Sequence, residues 1–297
     1  MMPSFLIIGA QKAGTTALWW YLRQHPDVFM PERKEPHHFT FVGSPPRFSG
    51  PRSVLDRAIV DRAEYERLFA SGRGRRALGE ASPSYLYAEG VAERIRATIP
   101  DARLIAILRQ PAERAFSAYL HFRRDGREPA ASFEEALALE EERRRAGWGY
   151  PWRYRDLGFY ARQLARYYAV FPRDRLRVYL TEDLSRDALS VVTDAYAFLG
   201  VDSSFRPDTS LRPNVSGIPR SPLLQPVFAW QGPVRARLAA LIPRGTRMRL
   251  RSTLGRTLLQ RPRLDPETRA RLTADFADDI RELNVLLERD LSPWLAR

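Results

Sequence analysis

At 297 residues, with 44% hydrophobic and 11% aromatic side chains, the chain can bury a large core as one big domain or a domain with a subdomain. It has no cysteine, which excludes disulfides, cysteine nucleophiles and thiolate metal sites and fits a reducing compartment. The net charge of +13 directs attention to an anionic partner, while the only early apolar run, Phe5 to Ile8, is too short for a signal peptide or a membrane span; a cytoplasmic protein is expected.

In chain order, Ser4 to Ile8 reads as a short buried strand ending at Gly9. Thr15 to Gln24 reads as a helix stopped by His25-Pro26. A short strand is expected at Ala77 to Glu80 and a helix at Glu89 to Ile99. Arg103 to Leu108 is a second buried strand, and Pro111 opens a helix running to about Arg124, since proline suits a first helical position. Ser132, with Glu135 three residues later, caps the next helix. Leu157 to Phe171 is amphipathic, Arg175 to Leu180 alternates like a strand, Ala188 to Leu199 is helical to Gly200, and a C-terminal helix is expected at about 266–290. Strands alternating with helices predict a single α/β domain over 1–297 with a central, mostly parallel sheet flanked by helices.

The charge is uneven. Between Asp208 and Asp265 no acidic residue occurs, while eleven arginines run from Arg212 to Arg263. This basic, proline-interrupted segment at about 209–264 is expected to form loops and short helices. Only two of the 48 basic residues are lysine, Lys12 and Lys34. A compact rotatable ammonium is not interchangeable with a planar guanidinium, so both lysines are candidate functional residues.

The turn Gly9-Ala10-Gln11-Lys12-Ala13-Gly14-Thr15-Thr16 lies between the first strand and first helix. Such a turn aims backbone N–H groups at one spot beside the positive end of the helix dipole, where phosphate or sulfate binds. Lys12 adds a mobile charge, and Thr15 and Thr16 add hydroxyls. The nucleoside triphosphatase signature places its lysine after the second glycine; here Lys12 precedes Gly14. Arg109, at the end of a buried strand, and Ser117, two helical turns further on, suit a terminal phosphate monoester. In Arg33-Lys34-Glu35-Pro36-His37-His38-Phe39, a carboxylate flanked by a lysine and two histidines suits a general base, with His37 and His38 as second choices. Two adjacent histidines are too few ligands for zinc, and no metal is expected.

The motifs GAQKAGTTALWWYLRQHPDV and KEPHHF, followed by GEASPSYLY, LRQPAERAFSAYLH, LGFYARQLARYYAVFP, RVYLTEDL and FLGVD, resemble those of sulfotransferases that use 3'-phosphoadenosine 5'-phosphosulfate (PAPS). The resemblance is to the heparan-sulfate and bacterial carbohydrate type, and it covers roughly residues 4 to 220. It implies a P-loop-like turn in which Lys12, Ala13, Gly14, Thr15 and Thr16 hold the 5'-phosphosulfate. It further implies Arg109 and Ser117 on the 3'-phosphate, Glu35 as catalytic base, and Lys12 stabilising the transferring group. Ser216, Gly217 and Arg220 resemble a late loop that closes over the cofactor's phosphates. Lys34, His37, His38 and Glu80 are expected on the acceptor side. Where some relatives carry a lysine after the glutamate of GEASP, this chain has Ala81, so the acceptor is not read across.

PAPS is the expected co-substrate and a carbohydrate, lipid-linked or secondary-metabolite hydroxyl or amine the expected acceptor; oligomeric state is not read. Nucleic acid is not expected, because the arginines are not interleaved with a recognition fold. Peripheral contact of 209–264 with an anionic membrane is an expectation from its mixture of arginine with Leu, Val, Phe and Trp. Two other readings stand beside the enzyme: a nucleotide triphosphatase or kinase with a variant phosphate loop, and a non-catalytic PAPS-binding protein.

Overall fold

The computed structural model describes residues 1–210, 217–221, 257–260 and 262–296. Five parallel strands form the central sheet: β1 (Phe5–Gly9), β2 (Val28–Phe29), β3 (Ala77–Ala81), β4 (Arg103–Leu108) and β5 (Leu176–Leu180). Their spatial order is β2-β3-β1-β4-β5. Every residue of β1 and β3 is buried. Helices cover both faces of a parallel sheet, so its central strands read as unbroken apolar runs rather than as alternation.

The chain leaves β1 toward β2 and β3 on one side, then crosses to β4 and β5 on the other. Ligands of open parallel sheets collect at the carboxyl ends of strands where the order reverses. That edge is where Gly9, Ala81, Leu108 and Leu180 hand over to loops.

The helices mostly follow the sequence pattern. Thr15–Leu22, Val91–Thr98, Tyr160–Val170 and Ala188–Leu199 are helical. Pro111 stands in the first turn of the Pro111–Arg124 helix, and the Gln110 side chain accepts from the Glu113 amide at 2.8 Å. Ser132 accepts from the Glu135 amide at 3.1 Å, capping Phe133–Ala138 as expected. Strand β2 carries no periodic signal, since two residues have none.

The C-terminal helix differs from expectation. It is two helices, Pro266–Asp275 and Ala277–Leu287, meeting at Phe276. Phe276 is fully buried, its ring 5.0 Å from that of Phe159, and a side chain at Gly158 would come within 2.7 Å of it. Seating that ring at Gly158 places the break there.

In the basic segment, Ile218–Pro219 pairs antiparallel with Leu259–Gln260 and packs against the Pro111–Arg124 helix. Most of 209–264, including Ser216, lies outside the described residues. No helix among the described residues is long and apolar enough to cross a membrane.

Candidate functional site

A cavity of about 810 Å³ opens at the carboxyl edge of the sheet. The segments that follow four strands line it: Gln11 to Ala17 after β1, Pro83 and Ser84 after β3, Arg109 after β4 and Thr181 after β5. Lys12, Ala13, Gly14, Thr15, Thr16, Glu35, His37 and Arg109 therefore share one cavity. They are separated by up to about a hundred positions in sequence and gathered only by the parallel strand order.

At the glycine turn, Gly14 has φ 119°, and a side chain there would come within 3.1 Å of Ile107 and 3.3 Å of Leu184. Only glycine takes this bend and this approach without strain. Thr181 Oγ1 lies 2.5 Å from the Ala13 carbonyl and 3.0 Å from that of Leu108, tying the turn to the ends of β4 and β5. The first amides of the Thr15–Leu22 helix lack intrahelical partners, as at every helix start. Among the described residues no carboxylate lies within ion-pair reach of Lys12. Burial, then the charge of Arg124, bring its ammonium down to about 7, against the pull of Asp125 and Glu35.

Glu35 sits on a strap before the short His38–Phe41 helix. Its Oε1 is bonded by Lys34 Nζ, and its Oε2 lies 3.8 Å from His37 Nε2. Burial pushes the Glu35 carboxyl up. The charges of Lys34 and His37, the Lys34 hydrogen bond and the charge of Lys12 together outweigh it and hold the carboxyl below its ordinary range. His37 is 2% exposed, with Nδ1 2.7 Å from Ser84 Oγ and Nε2 without a hydrogen-bond partner among the described residues. Burial brings its imidazole down to about 4, so it is neutral near pH 7. Of the four described non-glycine residues with positive φ, three are Lys12 (68°), Glu35 (61°) and His37 (52°). Left-handed backbone persists when surroundings over-determine it, and it clusters at functional sites.

Several expected site residues stand elsewhere. Glu80 does not reach the cavity: it is fully buried on β3, bonded by Tyr65 and Ser82, and burial pushes it up to about 7 against those bonds. The adjacent histidines part company. His37 lines the cavity, while His38 is buried with its ring stacked 4.1 Å from Tyr65 and its Nδ1 2.9 Å from the Ile59 carbonyl. Lys34 is outside the cavity lining and acts on it through Glu35. Ser117 is buried on the Pro111–Arg124 helix and is not part of the lining. Gly217 is buried and Arg220 exposed in the short hairpin that packs on that helix, neither in the lining; Ser216 lies outside the described residues.

Arg109 lines the cavity while its Nη2 lies 3.3 Å from Glu113, so the surface pair and the cavity position coexist. His121, one turn after Ser117 and a candidate from its place on that helix, lines the cavity. The structure adds two lining residues the sequence did not reveal, Asp125 and Arg127, with Asp125 held by Arg124 Nε at 2.9 Å and Arg127 Nη2 at 3.4 Å. Asp125 and Arg127 lie in an irregular loop, and no local pattern marks them.

Residues 3–205 match the model of the Sulfotransferase family. The chain is 30% identical over 223 residues to the bifunctional heparan sulfate N-deacetylase/N-sulfotransferase 3 of Mus musculus; the match covers 69% of this chain and 23% of that protein. It thus spans about a quarter of the length of such curated relatives. The crystal structure of a sulfotransferase from Alicyclobacillus acidocaldarius is 39% identical, with a TM-score of 0.79 and 100% coverage of both chains. A sulfotransferase domain from the curacin biosynthetic pathway shares the fold at 16% identity and a TM-score of 0.51.

Proposed function

The chain belongs to the sulfotransferase family, and from that premise we propose that it transfers a sulfuryl group from PAPS to a hydroxyl or amine acceptor. The observation that carries the reading is that Lys12, the glycine turn, Glu35 and Arg109 face a single cavity, so one donor molecule can touch them all. Its volume of about 810 Å³ falls within the range of nucleotide and cofactor pockets.

The residues present fit such a donor. Lys12, Arg109, Arg127 and the open amides after β1 offer positive charge along the cavity, and Lys12 has no carboxylate in reach among the described residues. A polyanion supplies what burial and Arg124 withhold from that ammonium. When bound, PAPS supplies an activated sulfuryl group and a phosphate leaving group.

Glu35 is ionised at neutral pH, with Lys34 bonding one of its oxygens and His37 Nε2 3.8 Å from the other; it takes the proton of the acceptor. Lys12 neutralises charge that grows on the transferred group and the leaving oxygen. Neutral His37 stands beside Glu35 without competing as base, because its nitrogen gains a proton only near pH 4. Arg109, with Ser117 and the Gly217–Arg220 hairpin on the neighbouring helix, is assigned the 3'-phosphate. Displacement in line, governed by positioning and charge, follows as in phosphoryl transfer.

A carbohydrate, lipid-linked sugar or secondary metabolite is the acceptor class; the heparan sulfate N-sulfotransferase relative supports a carbohydrate. The compartment we assign is the cytoplasm, with the arginine-rich 209–264 segment resting on anionic lipid. Co-sedimentation with anionic vesicles tests that contact; binding unchanged when these arginines become glutamine rejects it.

Calorimetry with adenosine 3',5'-bisphosphate against ATP, followed by an acceptor screen with labelled PAPS, tests the whole reading. Preference for the bisphosphate and label transfer are expected. Preference for ATP with magnesium-dependent hydrolysis overturns it in favour of a triphosphatase or kinase, and bisphosphate binding without transfer leaves a non-catalytic binding protein.

A further inference from the structure

The strap that carries Glu35 has an anchoring problem. Glu35 and His37 both have left-handed backbone, and the helix that follows, His38–Phe41, is a single turn. One turn cannot hold itself, and its leading amides have no partners inside it. Partners come from β3 and the loop after it. The His37 amide donates to Ser82 Oγ at 3.0 Å, and the Phe39 amide donates to Tyr85 Oη at 3.4 Å.

The Ser82 hydroxyl is itself committed to Glu80. Ser82 Oγ donates to Glu80 Oε2 at 2.8 Å. Tyr65, whose ring stacks on His38, donates to Oε1 at 3.2 Å. A hydroxyl has one proton, so a hydroxyl that gives it to a carboxylate can only accept from anything else it touches. Glu80 thereby turns Ser82 into an acceptor aimed at the strap.

We propose that Glu80 is a positioning residue for the catalytic strap: its carboxylate, without touching the cavity, orders the Ser82 hydroxyl that fixes the backbone of His37 and so the aim of Glu35. The alternation Glu80, Ser82, Ser84 is then a clamp. Ser84 Oγ completes it with Thr40 Oγ1 at 2.9 Å and His37 Nδ1 at 2.7 Å. Glutamine at position 80 keeps the shape but has one acceptor oxygen and a donor amide. Where that amide faces Ser82, the hydroxyl accepts from it and turns its own proton toward the His37 N–H.

The kinetic arm of the test rests on the sulfuryl-transfer reading; the exchange arm does not. In Glu80→Gln, compared above pH 7 where Glu80 itself is ionised, amide hydrogen exchange at His37 should quicken by about 10- to 100-fold while the β1 amides stay protected. Turnover should fall about tenfold, with the affinity for adenosine 3',5'-bisphosphate kept within about twofold. Ser82→Ala should free the His37 amide alone and Tyr85→Phe the Phe39 amide alone, which carries the test if Glu80→Gln fails to fold. Adding Ser82→Ala to Glu80→Gln should slow turnover no further, because both act through one hydroxyl.

Unchanged exchange at the His37 amide in both Glu80→Gln and Glu80→Met, which has no oxygen to receive the Ser82 proton, overturns the proposal. So does a loss of protection spread evenly over β1, β3 and the strap with bisphosphate affinity falling in step, which marks a general structural role. If the wild type transfers no sulfuryl group at all, the activity reading falls, and strap exchange still decides the anchoring.

Discussion

Lys12 faces the cavity with no carboxylate in reach among the described residues, whereas Glu35, lining the same cavity, is bonded by Lys34 and faced by His37. The glycine turn leaves positive charge unpaired beside Arg124 and Arg109, and the ammonium gives way to about 7. The strap pairs its charge, and the carboxyl stays below its ordinary range despite burial. An unpaired site gains most when an anion arrives, which in the proposed reaction makes the Lys12 side the end that binds the donor. A paired and backbone-anchored site gains little from binding but is already aimed, which in the same proposal makes the Glu35 side the end that reacts.

The sharpest way to break this contrast is Lys12→Ala, which should lower turnover by about 100-fold or more and weaken bisphosphate binding together. Steady-state transfer and calorimetry check both; near wild-type values in either would end the assignment of Lys12 to the donor. Glu35→Gln should cost turnover on the order of 100-fold yet leave bisphosphate affinity within about threefold. Equal losses in both quantities would show that the two ends are not separate.

A milder probe is pH. The free Lys12 ammonium loses its proton near 7, and a bound polyanion favours the protonated form. Binding must then take up a proton above that pH, so bisphosphate affinity should fall by up to about tenfold per pH unit above 7, until the bound-state pKa is passed. Calorimetry in buffers of different ionisation enthalpy reads the uptake directly, and a flat affinity from pH 7 to 9 would contradict the unpaired ammonium. The smallest effect is expected from Thr181→Val, which removes the hydroxyl between the Ala13 and Leu108 carbonyls and should cost about 1 kcal/mol of stability, with a few-fold loss of donor affinity and no change in acceptor KM. Thermal unfolding and acceptor titration check it.

Much of this was legible in the residues. The strand, glycine turn and helix at the start, the buried run Arg103 to Leu108 and the proline-opened helix after it each follow from local sterics and periodicity, and the structure has them. Lys12, Glu35, His37 and Arg109 were marked by residue type and place, and they line one cavity. Glu80 was expected on the acceptor side from its place in the GEASP motif, which says nothing of the direction of its side chain. Only the register of β3 beside β1, Leu6 opposite Glu80, shows it to be interior. Asp125 and Arg127 were missed because a loop residue's neighbours across a cavity leave no trace in its own sequence.

The amino-acid sequence by itself determined the parallel α/β class, the glycine turn between β1 and the first helix and the identity of the charged groups, because these depend on backbone freedom, hydrophobic period and side-chain chemistry within a few residues. Tertiary structure alone decided that the four strand ends meet, that His37 turns to the cavity while His38 turns inward, and that Glu80 holds the strap from behind. Those outcomes depend on strand order and on which hydroxyl gives its proton to which oxygen, relations between segments tens of residues apart.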